Sequence, residues 1–484
     1  MQVARTTLTL LLAASLSACG GGGSSPPPTS GTPAPSPTPT PTPTPTTSAC
    51  SLSARQDWVK SVIDEWYLFP AGIDNTVNKA AYTDLQSYID ALVAPSVAPT
   101  GGPLQHAGLT YITSIAAENA YYNSGSSAGF GVRLAYDTTN NRVFVVEAFE
   151  GAPALAANID RGTEILSIGT SAGTAQTVSS LMASGGPQAV VDALGPSTAG
   201  TTRYLQVRSA AGSTFGVSVA KTDYTLDPVS DRYGAKIIDD NGKKVGYINL
   251  RTFIDTADPD LNAAFANFRA QGVTQLIIDL RYNGGGLVNI AELMGDLMGR
   301  DKVGQVFSRT TLRPSKASYN ETSYFTTNAN SITPMKIAFI GRGGTASASE
   351  LIMNSMIPYL GSNVALVGTN TYGKPVGQFG FDKSECDDRL RVIAFRTENR
   401  DGGADYYSGL AGVMPNTCKA DDDIFHQFGD PAETSISVAL DFLAGRACTP
   451  ITGGGQTTQS VRATRELLQP PRPDTAQRET PGLF

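Results

Sequence analysis

Hydrophobic positions change their rhythm along the chain, and each change marks a part of it. In RQDWVKSVIDEWYLF, Trp58, Val59, Val62, Ile63, Trp66 and Tyr67 recur at helical spacing, so residues 50–125 are expected to be mainly helical. Residues 126–222 switch to short β-rich runs, NRVFVVEAF and EILSIG, flanking GAPALAANIDRG, which predicts a short helix and a turn. From Tyr224 the pattern alternates. IIDDNGKKVGYINL predicts a hairpin about Asn241-Gly242. DPDLNAAFANFRAQG predicts a helix capped by Asp258, with Pro259 in its first position and Leu261, Ala264, Phe265 and Phe268 on one face. VTQLIIDLR, MKIAFIG and NVALVG are apolar throughout and alternate with the helical LVNIAELMGDLMG and SASELIMNSMIPYL. They predict an α/β core of buried, parallel strands over residues 223–449.

The two ends lack this patterning. Arg5 precedes the apolar run TLTLLLAASL, too short to cross a bilayer, and residues 1–18 are expected to be a signal peptide. Leu16, Ser17, Ala18 and Cys19 resemble a bacterial lipobox, which implies cleavage before Cys19 and a lipid on its sulfur. The expected location is the bacterial cell envelope, lipid-anchored; Gly20 favours the outer membrane, facing the periplasm. Residues 19–49 are rich in Pro and Thr and predict an extended linker. Residues 450–484 are poor in core formers and are expected to be a disordered tail.

Composition then narrows the chemistry. With a net charge of −7 and scattered Lys and Arg, the chain carries no electrostatic footprint for nucleic acid. Cys19 aside, Cys50, Cys386, Cys418 and Cys448 predict two disulfides in an oxidising compartment. Of three possible pairings, Cys386 with Cys418 and Cys50 with Cys448 is favoured, the second tying together the ends of the folded region. No CxxC occurs, and His106 and His426 lie far apart in sequence, so neither a metal nor another cofactor is expected.

Three turns hold candidate chemistry. The glycines of RYNGGGLV offer backbone N–H groups just before a helix, where an anion formed during reaction is stabilised; a plain tight turn explains them as well. Ser347 stands where a strand and a loop of small residues hand over to a helix, which suits a nucleophile, yet Ser347 with Glu350 three residues on is also a capping box. Lys374 follows the next strand. In a parallel unit successive strand ends share an edge, so the lysine and the serine can meet, and burial would keep the amine neutral.

DLRYNGGG, GGTASASE and GKPVGQ together resemble the C-terminal processing, or tail-specific, proteases, which use a Ser-Lys dyad. The resemblance runs over roughly residues 55–448, including YYSGLAGVMPN and DPAETSISVALDFLAG. It implies an α/β protease core of crotonase/ClpP-like β-α units, with Ser347 as nucleophile, Lys374 as base and Gln378 orienting the lysine. The amides of Ala348, Gly285 and Gly286 would form the oxyanion hole. Residues 126–222 resemble a PDZ domain, with Gly129, Phe130, Gly131 and Val132 matching the loop that holds a peptide's terminal carboxylate. The partners implied are protein or peptide substrates with accessible C-termini, and the membrane through the lipid anchor. Pro375 stands where the family commonly has a second glycine. The rival expectation is a catalytically inactive, lipid-anchored PDZ protein that only binds peptides. A Ser-His-Asp triad would need His106 or His426, and no GxSxG occurs.

Overall fold

A computed structural model describes residues 49–97, 108–452 and 465–484, which fall within one compact unit, Ser48–Phe484. The expected signal peptide, Cys19 and His106 lie outside the described residues. The central sheet has six strands in the order Ala235–Asp240, Lys243–Asn249, Gln275–Asp279, Lys336–Gly341, Val364–Gly368 and Thr417–Lys419. The first two form an antiparallel hairpin and the remaining pairs are parallel. The hairpin turns on Asn241 and Gly242, whose φ values of 54° and 85° fit a type I′ turn.

The inner strands are apolar throughout because both faces of the sheet are covered. Leu276, Ile278, Ile337, Phe339, Val364 and Leu366 pack with the helices Ala257–Ala270, Val288–Met298 and Ala348–Leu360. Ile277, Ala338, Ile340, Ala365 and Val367 pack with the helix Thr434–Leu443 and with Phe144 and Val146 of the β-rich unit. The helix Ala257–Ala270 buries Leu261, Ala264, Phe265 and Phe268 as its pattern predicts, but its cap is Thr256 and not Asp258. Ala257 is fully buried, so tertiary packing draws the helix start two residues earlier and leaves Asp258 in the first turn, where its charge suits the helix dipole.

A second sheet is antiparallel and joins Tyr111–Ser114, Asp388–Glu398, Val306–Leu312 and Glu321–Tyr324, with Val376–Lys383 paired to Asp388–Glu398. The helices Leu52–Trp66 and Leu85–Val93 lie on it through Val59, Ile63, Ile89, Leu390 and Val392. Tyr111–Ser114 is thus a strand inside a stretch expected to be mainly helical; its partners are Asp388–Arg391, far along the chain. Strand formation there rests on a non-local pairing that local pattern does not carry.

The disulfides are Cys50–Cys386 and Cys418–Cys448, correcting the expected Cys386–Cys418 and Cys50–Cys448. Packing explains both. Arg55 Nη2 donates to Asp388 Oδ1 at 2.6 Å, so the helix start carrying Cys50 arrives at the turn that holds Cys386. Lys419 N donates to Thr449 O at 2.7 Å, which brings Cys448 beside the edge strand that carries Cys418.

Residues 126–225 form the β-rich unit, closed at its neck where Ser126–Gly129 pairs with Thr222–Thr225. Its antiparallel sheet runs Val132–Asp137, Arg142–Ala148, Glu164–Gly169, Thr202–Arg208 and Thr214–Ala220. The short helix expected after GAP is Pro153–Ala156. A longer helix, Val178–Leu194, kinks at Gly186 (φ 64°) beside Pro187, and those residues hide it in the sequence. A buried ion pair binds this unit to the core: Glu147, which accepts from Arg133 Nε within the unit at 3.0 Å, also accepts from Arg251 Nε of the core at 2.7 Å.

One more strand completes that sheet. Glu466–Leu467 pairs with Tyr136 and Ala135, so residues 465–484, expected to be disordered, fold against the rest of the chain. They have too few apolar groups for a core of their own. Leu468, Ala476, Leu483 and Phe484 are instead buried in clusters built largely by other segments.

Candidate active site

Three strand ends of the central sheet deliver three turns to one edge, and hydrogen bonds stitch the turns together. Leu280 N donates to Ile340 O at 2.9 Å, Ala346 N to Asn283 O at 3.1 Å, and Tyr372 N to Thr345 O at 3.0 Å. Side chains add to this: Thr345 Oγ1 donates to Leu280 O at 2.8 Å and Ser349 Oγ to Asn283 O at 3.1 Å. The glycine turn, Ser347 and Lys374 therefore share one small region.

Ser347 caps the helix Ala348–Leu360 with φ 55° and ψ −117°. A serine at positive φ is strained by about 1–3 kcal/mol, a cost that persists only where the surroundings impose it. The neighbouring glycine turn imposes part of it. A Cβ on Gly285 (φ 120°) would stand 2.7 Å from Ser347 Cβ and 3.2 Å from Ala348 N, so only glycine lets the two turns approach this closely.

Glu350 is fully buried and joins the two candidates. Its carboxyl accepts from Ser347 N at 3.2 Å, Lys374 N at 2.7 Å, Gly373 N at 2.7 Å and Thr371 Oγ1 at 2.6 Å. Burial pushes its pKa up to about 7 against the four hydrogen bonds, which favour the charged form. The capping-box spacing shows the Ser347 arm in the sequence. The arms to Thr371, Gly373 and Lys374 need the next turn in place.

Lys374 is buried, and loss of solvation lowers the pKa of its amine below the usual lysine range, while the Glu479 carboxylate pulls the other way. Its Nζ donates to Gln378 Oε1 at 3.0 Å, and Gln378 Nε2 donates to Leu109 O. Among the described residues no hydrogen bond links Lys374 Nζ to the Ser347 hydroxyl. A cavity of about 590 Å³ lies here, lined by Gly284, Ala346, Tyr372, Lys374 and Gln378 on one side and by Arg478, Glu479 and Pro481 on the other.

The glycines divide their duties. Gly285 lies beside Ser347, and its N–H donates to Asn283 Oδ1 at 2.9 Å. Gly286 faces Phe253, whose carbonyl oxygen would stand 2.2 Å from a Cβ there. Gly284, which the sequence did not single out, donates its N–H to Glu479 O at 2.9 Å. In the β-rich unit, Gly131 N and Val132 N donate to Phe484 O at 2.9 Å and 3.2 Å. A Cβ on Gly129 would stand 2.7 Å from Phe484 C, and Phe130 packs in the same buried cluster as Phe484. His426 is exposed, hydrogen-bonded to Asp423 and absent from the cavity lining.

The comparison that bears most directly on this edge is with known peptidases. Residues 244–416 match peptidase family S41. The matched stretch holds the glycine turn, Ser347, Glu350, Lys374 and Gln378; the β-rich unit and residues 465–484 lie outside it. The chain is 25% identical over 327 residues to a carboxyl-terminal-processing protease of Synechocystis sp. (strain ATCC 27184 / PCC 6803 / Kazusa), covering 66% of this chain and 70% of that protein. It is 28% identical over 277 residues to a chloroplastic C-terminal processing peptidase of Tetradesmus obliquus, covering 54% of each. In fold it is similar to the crystal structure of a protein of Bacteroides fragilis NCTC 9343 assigned to the S41 proteases, with a TM-score of 0.59 and 22% identity over 80% of this chain and 97% of that one. The mixed α/β sheets share the fold of that structure.

Proposed function

We propose that this protein is a serine endopeptidase of the C-terminal processing type, with Ser347 as nucleophile and Lys374 as general base. The observation that carries the reading is the buried Lys374: its amine is held by Gln378, its pKa is lowered by burial, and its backbone is tied to that of Ser347 through one carboxyl. A neutral Lys374 would take the proton of the Ser347 hydroxyl as Oγ attacks a substrate carbonyl carbon. The negative oxygen so formed would be stabilised at the helix amino terminus by Ala348 N–H and by an amide of the glycine turn. The Lys374 ammonium would then give its proton to the leaving amine. Water, deprotonated by Lys374, would attack the Ser347 ester, release the new carboxylate and regenerate the hydroxyl.

The proposal extends to the β-rich unit as a PDZ-like module that takes the end of a substrate chain by strand addition. Support comes from the two amides of Gly131 and Val132 converging on the backbone oxygen of Phe484. It extends also to an exported, lipid-anchored protein, a reading the two disulfides favour because such bonds persist in oxidising compartments.

Ser347→Ala tests the chemistry. Cleavage of an unstructured polypeptide should vanish while the melting temperature is kept. Cleavage surviving in the variant would remove Ser347 from its role, and no cleavage by any form would leave the peptide-binding alternative.

A further inference from the structure

Residues 465–484 have no assigned role, and their placement is specific. The segment first adds Glu466–Leu467 to the free edge of the strand Val132–Asp137, and Leu468 N donates to Leu134 O at 2.9 Å. It then turns away through the short helix Thr475–Glu479 and crosses the catalytic edge. There Gly284 N holds Glu479 O, Tyr122 Oη donates to Glu479 Oε1 at 2.9 Å, and Arg478 Nη1 donates to Gly108 O at 2.6 Å. It returns to the same strand: Leu134 N donates to Gly482 O at 2.8 Å, and Phe484 N donates to Val132 O at 2.9 Å. The Phe484 ring is buried in the cluster that includes Phe130, Val132 and Leu181.

We infer that residues 465–484 are a built-in occupant of the substrate path, closing both the groove of the β-rich unit and the catalytic edge to outside polypeptides until they are displaced. The inference rests on the peptidase reading for the meaning of the catalytic edge, and on geometry alone for the occupancy. Three facts favour an occupant over a structural strap. The backbone of 482–484 uses the amides that an added strand would use, so an outside chain has no free partner there. A Cβ on Gly284 would stand 2.2 Å from Arg478 O, which leaves no room between the segment and the glycine turn. The Glu479 carboxylate favours the charged form of Lys374, the form unable to accept a proton.

A recognition site for a sequence-specific protease, inserted between Thr452 and Arg465, tests this without removing any described residue. Before cutting, a labelled peptide of residues 465–484 should not bind. After cutting and removal of the released segment, it should bind saturably, and the rate of cleavage of an unstructured polypeptide should rise by about tenfold or more, as expected when a tethered competitor at millimolar effective concentration is lost. Adding the peptide back should restore the inhibition, and a peptide carrying Phe484→Asp should not. Release of the segment with no rise in rate, in a protein that does cleave, overturns the inference, as does an emptied protein that fails to bind the peptide. The binding arm is repeated with Ser347→Ala: saturable binding confined to the emptied protein, with no cleavage by any form, would support the occupancy and remove the peptidase reading alone.

Discussion

At the scale of single residues, the site turns on two buried ionisable groups whose pKa values are pushed in opposite directions, each toward its neutral form. Lys374 must be neutral to act as a base, and burial lowers its pKa, so activity should rise with pH through that lowered value. Because the unfolded chain binds the extra proton in the window between the lowered and the ordinary value, stability should also rise with pH there. Lys374→Arg keeps the charge but cannot lose it, and a cleavage assay across pH should find it inactive. Glu350 behaves differently. Its pKa is raised to about 7 from an ordinary 4.5, so its contribution is fully present below about 4.5 and is lost as pH rises through about 7. Glu350→Gln sets an amide NH₂ among four donors. It should cost about 1–3 kcal/mol, lower kcat by shifting both turns, and flatten the dependence of melting temperature on pH between those values.

At the scale of elements, the two disulfides fix pieces that local pattern leaves loose. Cys50–Cys386 fastens the start of the helix Leu52–Trp66 to the turn before the strand Asp388–Glu398, and it closes a span of 336 residues. Removing it with Cys50→Ser and Cys386→Ser should cost about 2–5 kcal/mol, because the unfolded chain regains the freedom that the link denied it. Calorimetry should show a lower melting temperature, and hydrogen exchange should show the loss concentrated in that helix. The Cys418–Cys448 link spans only 30 residues and anchors an edge strand, so its loss should be felt near the helix Thr434–Leu443.

At the scale of the whole molecule, buried charge couples the β-rich unit to the core around the central sheet. Arg133 belongs to the strand that holds Phe484, yet its Nη1 donates to Tyr282 O in the glycine turn and to Pro481 O at 2.9 Å. Glu147 compensates both Arg133 and Arg251. Glu147→Ala should therefore strip Arg133 of its carboxylate partner, leave Arg251 with Glu150 alone, and cost about 3–5 kcal/mol. The Glu147 pKa is lowered in the fold; burial raises it, but the two arginines more than offset that. Its contribution is thus present above an ordinary 4.5 and lost as pH falls through the lowered value, so acid unfolding of the wild type should begin there and the variant should lack that step.

What the sequence determined by itself was whatever depends on neighbours in the chain. The apolar runs at 275–279, 336–341 and 364–368 could satisfy their composition only as strands covered on both faces, and Asn241-Gly242 could turn only as a tight hairpin. Parallel order then placed Ser347 and Lys374 on one edge, which the spacing of strand, helix and strand already implied. What tertiary structure alone decided depends on residues far apart in sequence. The four arms of Glu350 join two turns, the disulfide partners are set by how the helix Leu52–Trp66 lies on a strand more than three hundred residues away, and Gly284 rather than Gly286 meets the carbonyl of Glu479. Residues 465–484 show the reason most plainly. Their composition cannot build a core, so the sequence predicts disorder, but Phe484 and Leu468 need only a groove that other segments supply. Local composition measures what a segment can bury in itself; the fold decides what it can bury in its host.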